Sequence, residues 1–503
     1  MKKNKFNQLK VGVLLNYTTI ILTVIIGLML TPYIIHRLGD AEYGLYSLIG
    51  VFVASLTILD FGLNNSIVRF VAKYRAEKDI VGEEQFLGTI FIIYAVISLI
   101  VMIIGAILYL NIEHIFSNSL SIEELEKAKT MFIILIFNLA ISLPGGAFTG
   151  ISSGYEKFIF PKVANIIKYL LRSIVLVSIL YLGTNAVEIV ILDTIMNILL
   201  ICANAYYVIR ILNVRITLHY INSELLKEIF GYSLWIFLIA ISQQFQWTTG
   251  QLVLGIFTNT TVVAIYAIGI LLAGMYAAFG SAIGGVFLPK ATQFIVEKKT
   301  SAELTDMMIR IGRISLIVLL YILGGFVLFG KEFILLWVGN NYIDAWIVSL
   351  LIMLVVTFSF IHSFGNSILE AKKMIRFRAL SHLIALSIGT FLGILLVDKY
   401  SIIGMTIGIT ISMFAYQVIM SIYYKRMIDL EMNRFYNEVI KGILLSFILI
   451  LLLGYVINFI GNTSWLFFIM KAILFTITYI ILMYNIGLNL YERKLFSSFI
   501  KGQ

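Results

Sequence analysis

The chain has 503 residues, of which 60% are hydrophobic and only 13% charged, where soluble domains are about half apolar and about a quarter charged. With a mean hydropathy of +0.98 and apolar runs from end to end, no stretch remains that could form a soluble core of domain size, which excludes a soluble enzyme. The single cysteine, Cys202, excludes an intramolecular disulfide and any Cys₂ or Cys₄ metal site, and the formal charge of +10 has to be read by position.

Apolar windows long enough to cross a hydrocarbon core about 30 Å thick recur about fourteen times along the chain. They cover 11–31, 44–66, 86–110, 131–150, 163–183, 187–209, 232–256, 262–287, 312–330, 346–368, 379–397, 402–423, 442–460 and 465–486. Lys2, Lys3, Lys5 and Lys10 precede the first window and no small-residue cleavage site follows it, so it reads as a retained helix and not a signal peptide.

Alternating the windows from an inside start assigns 29 Lys and Arg to cytoplasmic segments and 5 to the outside, with Lys168, Arg172 and Lys471 inside spans. Basic residues in short loops are retained in the cytoplasm, so both termini are expected there, in a multi-pass protein of the plasma membrane. The same asymmetry explains the net charge through anionic lipid headgroups, without a nucleic acid partner.

The landmarks of the first six windows reappear in the next six. Gly44-Leu-Tyr46 corresponds to Ala264-Ile-Tyr266, Glu113-His-Ile-Phe116 to Glu332-Phe-Ile-Leu335, and Glu156-Lys157 to Ala371-Lys372. Because six is even, the halves are parallel repeats related by an axis along the membrane normal. The expected fold is an all-α polytopic membrane protein with two six-helix lobes, 1–210 and 211–424, around a central cavity, and two further helices with a cytoplasmic tail in 425–503. Gly-xxx-Gly pairs at Gly146/Gly150, Gly280/Gly284, Gly389/Gly393 and Gly404/Gly408 suit close helix contacts.

Enzyme signals are scarce. His36, His114, His219, His362 and His382 show no metal-ligand spacing, so neither a metal nor a cofactor is expected. The informative residues are charges and amides within the spans, which are expensive in hydrocarbon and tend to meet a cavity or each other. Lys168 and Arg172, four apart on one helix face, suit an anionic group such as a pyrophosphate. The competing reading is intramembrane pairing with Glu188 or Asp193. Lys471 is a second deep cation. Asp193 and Asn197, also four apart, are the candidates for a coupling Na⁺ or H⁺.

The run Ser242-Gln243-Gln244-Phe245-Gln246-Trp247-Thr248-Thr249-Gly250-Gln251 is too polar to face lipid. Gln243, Trp247 and Gln251 at i, i+4, i+8, with Gln246 beside them, form an indole flanked by amides that suits sugar contact. The alternative is interhelical hydrogen bonding.

Arg37-Leu-Gly39-Asp-Ala-Glu-Tyr-Gly44-Leu-Tyr, Leu59-Asp60-Phe-Gly62-Leu-Asn64-Asn65 with Arg69-Phe, Gln251-Leu-Val-Leu-Gly255, Tyr266-Ala-Ile-Gly269, Leu288-Pro289 and Trp337-Val-Gly339 together resemble the Wzx-type oligosaccharide flippases of the multidrug/oligosaccharidyl-lipid/polysaccharide exporter superfamily. The resemblance runs the length of the chain. It implies a V-shaped transporter that moves an undecaprenyl-diphosphate-linked oligosaccharide from the inner to the outer leaflet by alternating access. The expected partners are this substrate, membrane lipids, and a polymerase and glycosyltransferases, around a functional monomer. Lys168 and Arg172, with Arg69 and Lys471, are then the pyrophosphate candidates, and Gln243, Gln246, Trp247 and Gln251 the glycan contacts. Relatives often carry an acidic residue before the Gln-Leu pair where this chain has Gly250, which removes one carboxylate from any ion coupling. A cation-coupled multidrug exporter of the same superfamily is the alternative. A membrane-bound glycosyltransferase would need a larger catalytic loop than 111–130 offers.

Overall fold

A computed structural model describes residues 2–117, 119–218, 223–284 and 287–494, and among them no strand occurs. Among the described residues, twelve helical runs are long and apolar enough to cross a membrane. The chain divides into two compact units, Met1–Ala264 and Ile265–Gln503.

The first unit contains α1 (Lys2–Leu38), α2 (Asp40–Ser55), α3 (Leu63–Glu77), α4 (Ile80–Phe116), α5 (Ile122–Gly154), α6 (Ile159–Tyr181), α7 (Ala186–Tyr206) and α8 (Ser223–Phe257). α5 is its axis and packs against α2, α3, α4 and α7. Small residues permit this: a Cβ on Gly145 would overlap Ile201 of α7, and one on Gly150 would overlap Asn64 of α3, so these helices approach with backbone in contact with side chain. Gly146, paired with Gly150 in the sequence reading, faces open space instead.

The window 44–66 is not one continuous helix. After α2 come a 3₁₀ turn at Leu56–Asp60 and two consecutive left-handed residues, Phe61 (φ 52°) and Gly62 (φ 69°), before α3 begins. Gly62 adopts this conformation freely, whereas Phe61 bears a strain of roughly 1–2 kcal/mol. Asp60 anchors the break by accepting a 3.0 Å hydrogen bond from the Tyr94 hydroxyl on α4.

The second unit continues from α9 (Thr260–Gly284) through α10 (Leu288–Val296), α11 (Ser301–Trp337), α12 (Ala345–Ile361), α13 (Ser363–Ala371), α14 (Ile375–Met427), α15 (Met432–Ile440), α16 (Ile443–Asn458) and α17 (Trp465–Leu482). At 53 residues a straight α14 would be about 80 Å long, more than twice the hydrocarbon core. It breaks at Ser401 (φ 47°, ψ −126°), between the windows 379–397 and 402–423. The halves pack on each other through four glycines: a Cβ on Gly389 would meet Ser412, on Gly393 Met405, on Gly404 Leu396, and on Gly408 the Gly393 backbone.

Helix starts in the two halves fall at similar offsets. α2 and α9 start at Asp40 and Thr260, α4 and α11 at Ile80 and Ser301, and α6 and α14 at Ile159 and Ile375, offsets of 220, 221 and 216; α4 and α11 have 37 residues each. Packing groups α8 with the first unit, where it lies against α2 and α3, whereas the repeat groups it with the second.

One arginine gathers several segments of the additional helices. Arg313 of α11, 4% exposed, holds the Glu492 carboxylate at 2.5 and 3.0 Å. It also donates to the carbonyls of Glu438 at 2.7 Å, Lys441 at 2.9 Å and Gly487 at 2.8 Å. A fork with five donors can meet that many acceptors. Replacing Arg313 with Met strands the Glu492 charge, and a loss of about 3–5 kcal/mol is expected in equilibrium unfolding of the purified protein. Arg313→Met with Glu492→Gln should recover only part, because the carbonyls remain unserved.

Candidate functional site

α6 shows how a cation comes to lie inside a span. Ile167, Leu170, Leu171 and Ile174 are exposed along one side, which assigns that side to lipid, and Lys168 and Arg172 project from another, half-buried. Arg172 reaches α7, where its Nε and Nη2 both engage the Asp193 carboxylate, the second bond at 3.0 Å. Tyr46 of α2 donates from its hydroxyl to Asp193 Oδ2 at 3.0 Å and accepts from Arg172 Nη2 at 3.4 Å. Three helices thus share one charge-neutral knot, in which Arg172 uses Nε and Nη2.

The other carboxylate that could have paired with Arg172 is already used. Glu188 closes the capping box of α7, accepting from the Asn185 N–H at 3.0 Å. Asn197, one turn beyond Asp193, turns toward α5 and donates to Asn138 Oδ1 at 2.7 Å and Ser142 Oγ at 2.6 Å. The two ion-coupling candidates therefore point to different partners.

Lys168 is left over. It lies within electrostatic reach of Asp193 and Arg172, but it makes no hydrogen bond or ion pair among the described residues. With one carboxylate and two cations the cluster carries a net positive charge, and it is concentrated on Lys168. The other proposed cations stand elsewhere. Arg69 is exposed on α3, with its guanidinium 5.7 Å from the Phe70 ring centre. Lys471 belongs to the second unit, where it is paired with Glu332 at 2.8 and 3.1 Å, the two side chains 5% and 12% exposed. Within the first unit, Lys168 and Arg172 share one cluster around Asp193.

The polar run of α8 divides by helical phase. At about 100° per residue, Gln251 falls about 80° from Gln243 but only about 20° from Gln244. Accordingly Gln251 donates to Ser47 Oγ at 2.6 Å and Gln244 to the Ala54 carbonyl at 2.9 Å, both on α2. Gln243 is exposed, Gln246 and Trp247 are half-buried, and none of the three makes a hydrogen bond among the described residues. The i, i+4, i+8 face of the sequence reading thus separates into Gln243 and Trp247, open, and Gln251, committed to helix packing.

Five participants were not singled out by sequence reasoning: Tyr46, Ser47, Asn138, Ser142 and Glu332. Tyr46 served only as a landmark of the repeat, and a tyrosine four residues from the polar start of a span at Asp40–Glu42 was the available signal. Among the described residues no group of three or more His, Cys, Asp or Glu could hold a metal ion.

The profile of a family described as "Polysaccharide biosynthesis protein" matches residues 9–295, more than half of the chain. No curated protein matches the sequence. Among solved structures, the chain is similar to "Lipid II flippase MurJ, inward closed conformation", with a TM-score of 0.70 at 17% identity over 96% of this chain and 100% of that one. It is also similar to an inward-facing multidrug resistance MATE family transporter of the MOP superfamily, with a TM-score of 0.57 at 16% identity over 82% and 99% of the two chains. An outward-facing transporter of that family gives 0.51 at 15% identity over 86% and 97%. These likenesses establish a MurJ/MATE-like fold, and the proteins that share it are transporters and flippases.

Arg172→Ala removes one half of a half-buried pair, and a loss of about 3 kcal/mol is expected, read as a lower midpoint of unfolding. Adding Asp193→Asn should return part of it, since the stranded carboxylate is neutralised while Lys168 keeps its charge. Equal instability of the single and double variants would show that Arg172 acts other than by neutralising Asp193.

Proposed function

The chain belongs to the polysaccharide biosynthesis protein family, and from that membership we propose that it is a flippase carrying an undecaprenyl-diphosphate-linked oligosaccharide from the inner to the outer leaflet by alternating access. The observation that carries this reading is the set of polar groups left open inside the spans. An unengaged ammonium, two open amides and an indole are unfavourable in hydrocarbon, yet together they match a substrate with an anionic linkage and a hydroxylated, partly apolar sugar.

Lys168 is the residue we assign to the diphosphate. Arg172 holds Asp193 and offers only its remaining Nη1 edge, so its part is to neutralise the carboxylate beside Lys168. Gln243, Gln246 and Trp247 are assigned to the glycan, Gln251 to helix packing. A coupling Na⁺ or H⁺ at Asp193 would have to compete with the Arg172 guanidinium, which links ion binding to release of the α2–α6–α7 knot. The excess of basic residues in alternate loops supports cytoplasmic termini, in a protein that works as a monomer between glycosyltransferases that supply its substrate and a polymerase that consumes it. A drug exporter of the same superfamily would present an apolar cavity with acidic ion sites, and the open amides and Lys168 favour the sugar-bearing anion.

The test is movement of an undecaprenyl-diphosphate oligosaccharide between leaflets of liposomes holding the purified protein. Wild type should move it, Lys168→Ala should slow it at least tenfold with the fold intact, and Trp247→Ala should change the preference among glycans with little effect on diphosphate binding. Export of cationic dyes on a Na⁺ or H⁺ gradient, with the glycolipid unmoved, would overturn the reading.

A further inference from the structure

α14 of the second unit carries a cation and an imidazole on one face. Arg378 and His382 stand three and seven residues after its start at Ile375, and the loop charges assign that end of the helix to the cytoplasm. The two lie about 40° apart around the helix, and Gly389 falls about 20° from each. The lipid side is elsewhere, marked by the exposed Phe377, Leu380, Ile384 and Ile388. Arg378 and His382 therefore point along the seam on which the two halves of α14 meet.

At Gly389 that seam is closed, because a Cβ there would overlap Ser412 Oγ. One turn beyond Ser412 comes Tyr416, whose ring centre is 4.9 Å from that of His382. Arg378 acts electrostatically on both His382 and Tyr416, and on Tyr424 two turns further along. Arg378 and His382 are half-buried and Tyr416 is 7% exposed, yet none of the three side chains makes a hydrogen bond or an ion pair among the described residues. All three are donors: a guanidinium offers five N–H groups, an imidazole at least one and a phenol one.

The acidic groups at this end of the unit are engaged or turned to solvent. Arg434 takes Asp306, Glu431 and Glu438, while Glu370 and Asp429 are exposed. Arg378 is the charge that acts on His382 and Tyr416, and no carboxylate acts on either. Unserved donors gathered beside a cation are matched by an anion rich in acceptor oxygens.

We propose that Arg378, His382 and Tyr416 form a phosphate-binding site in the second unit, separate from Lys168, and that it takes a diphosphate group from the cytoplasmic side. The guanidinium fork suits two phosphate oxygens, and donors from both halves of α14 suit a tetrahedral group better than a planar carboxylate. Two sources share this chemistry, the lipid-linked diphosphate of the substrate and a free diphosphate. The site stands on these three residues, whereas its use in transport rests on the flippase reading above. In that use it is the shallower contact, since Lys168 stands nine residues after the start of α6 at Ile159.

The experiment follows the imidazole signals of the full-length protein, labelled with ¹³C at its five histidines, in lipid nanodiscs; loss of one signal in His382→Gln identifies that of His382. Inorganic pyrophosphate and farnesyl diphosphate are the probes. A saturable shift of the His382 signal is expected, and it should persist in Lys168→Ala. Arg378→Gln should weaken the apparent affinity at least tenfold and Tyr416→Phe about threefold. If Arg378→Gln lowers the unfolding midpoint, Tyr416→Phe carries the test. Tighter binding of farnesyl diphosphate would support the site with the lipid-linked group as its ligand, and equal or tighter binding of pyrophosphate would support it with the free anion. No shift with either probe, a shift that both variants leave unchanged, or an equal shift with phosphatidylglycerol would overturn the proposal. A shift in a protein that moves no oligosaccharide would keep the site and remove the flippase reading, whereas movement without a shift would do the reverse.

Discussion

Hydrocarbon offers no hydrogen bonds, so each polar side chain along a span either bonds within the protein or meets water and substrate. This constraint orders the first unit around α2. Tyr46 joins it to the Arg172–Asp193 pair of α6 and α7, while Ser47 and the Ala54 carbonyl receive Gln251 and Gln244 of α8. Each bond is worth little alone, roughly 0.6 kcal/mol between membrane helices. Their value is positional, since they fix the rotation of α6 and α8 and thereby decide which neighbouring polar groups stay open.

The second unit applies the same constraint to architecture. Lys471 is closed by Glu332, Arg313 by Glu492 and backbone carbonyls, and buried His362 lies between Gln417 at 3.1 Å and Tyr436 at 2.9 Å. These groups lock α11, α14, α15 and α17 together. A deep cation therefore has two different meanings in this chain, a fastening at Lys471 and an open charge at Lys168.

Much of the fold was legible because hydropathy reports contact with lipid directly. The window 86–110 became α4 at Ile80–Phe116 and 131–150 became α5 at Ile122–Gly154. The helices run past the windows because their caps, Asp79 and Ser121, belong to the aqueous boundary, which apolar averages do not see. The break at Phe61 and Gly62 was hidden because backbone φ leaves no trace in hydropathy. The turn at Ser401 was legible because Asp398 and Lys399 interrupt the apolar run. For the site, the sequence narrowed the partner of Arg172 to Glu188 or Asp193, and the choice depended on a capping box formed in three dimensions. Gln251 was misplaced for a similar reason: over eight residues helical phase drifts by nearly a quarter turn, enough to turn an amide from an open face into a neighbouring helix.

The central claim is that the polar residues of the spans form two sets, one closed by helix contacts and one open to substrate. Single cysteines at 168, 243 and 247, and at 244 and 251 as the closed set, in a Cys202→Ser background, can be challenged with a membrane-impermeant thiol reagent with and without lipid-linked oligosaccharide. The expected result is labelling at the first three positions that substrate suppresses, and little labelling at the other two. Equal labelling of both sets, or labelling of the open set that substrate leaves unchanged, would contradict the account.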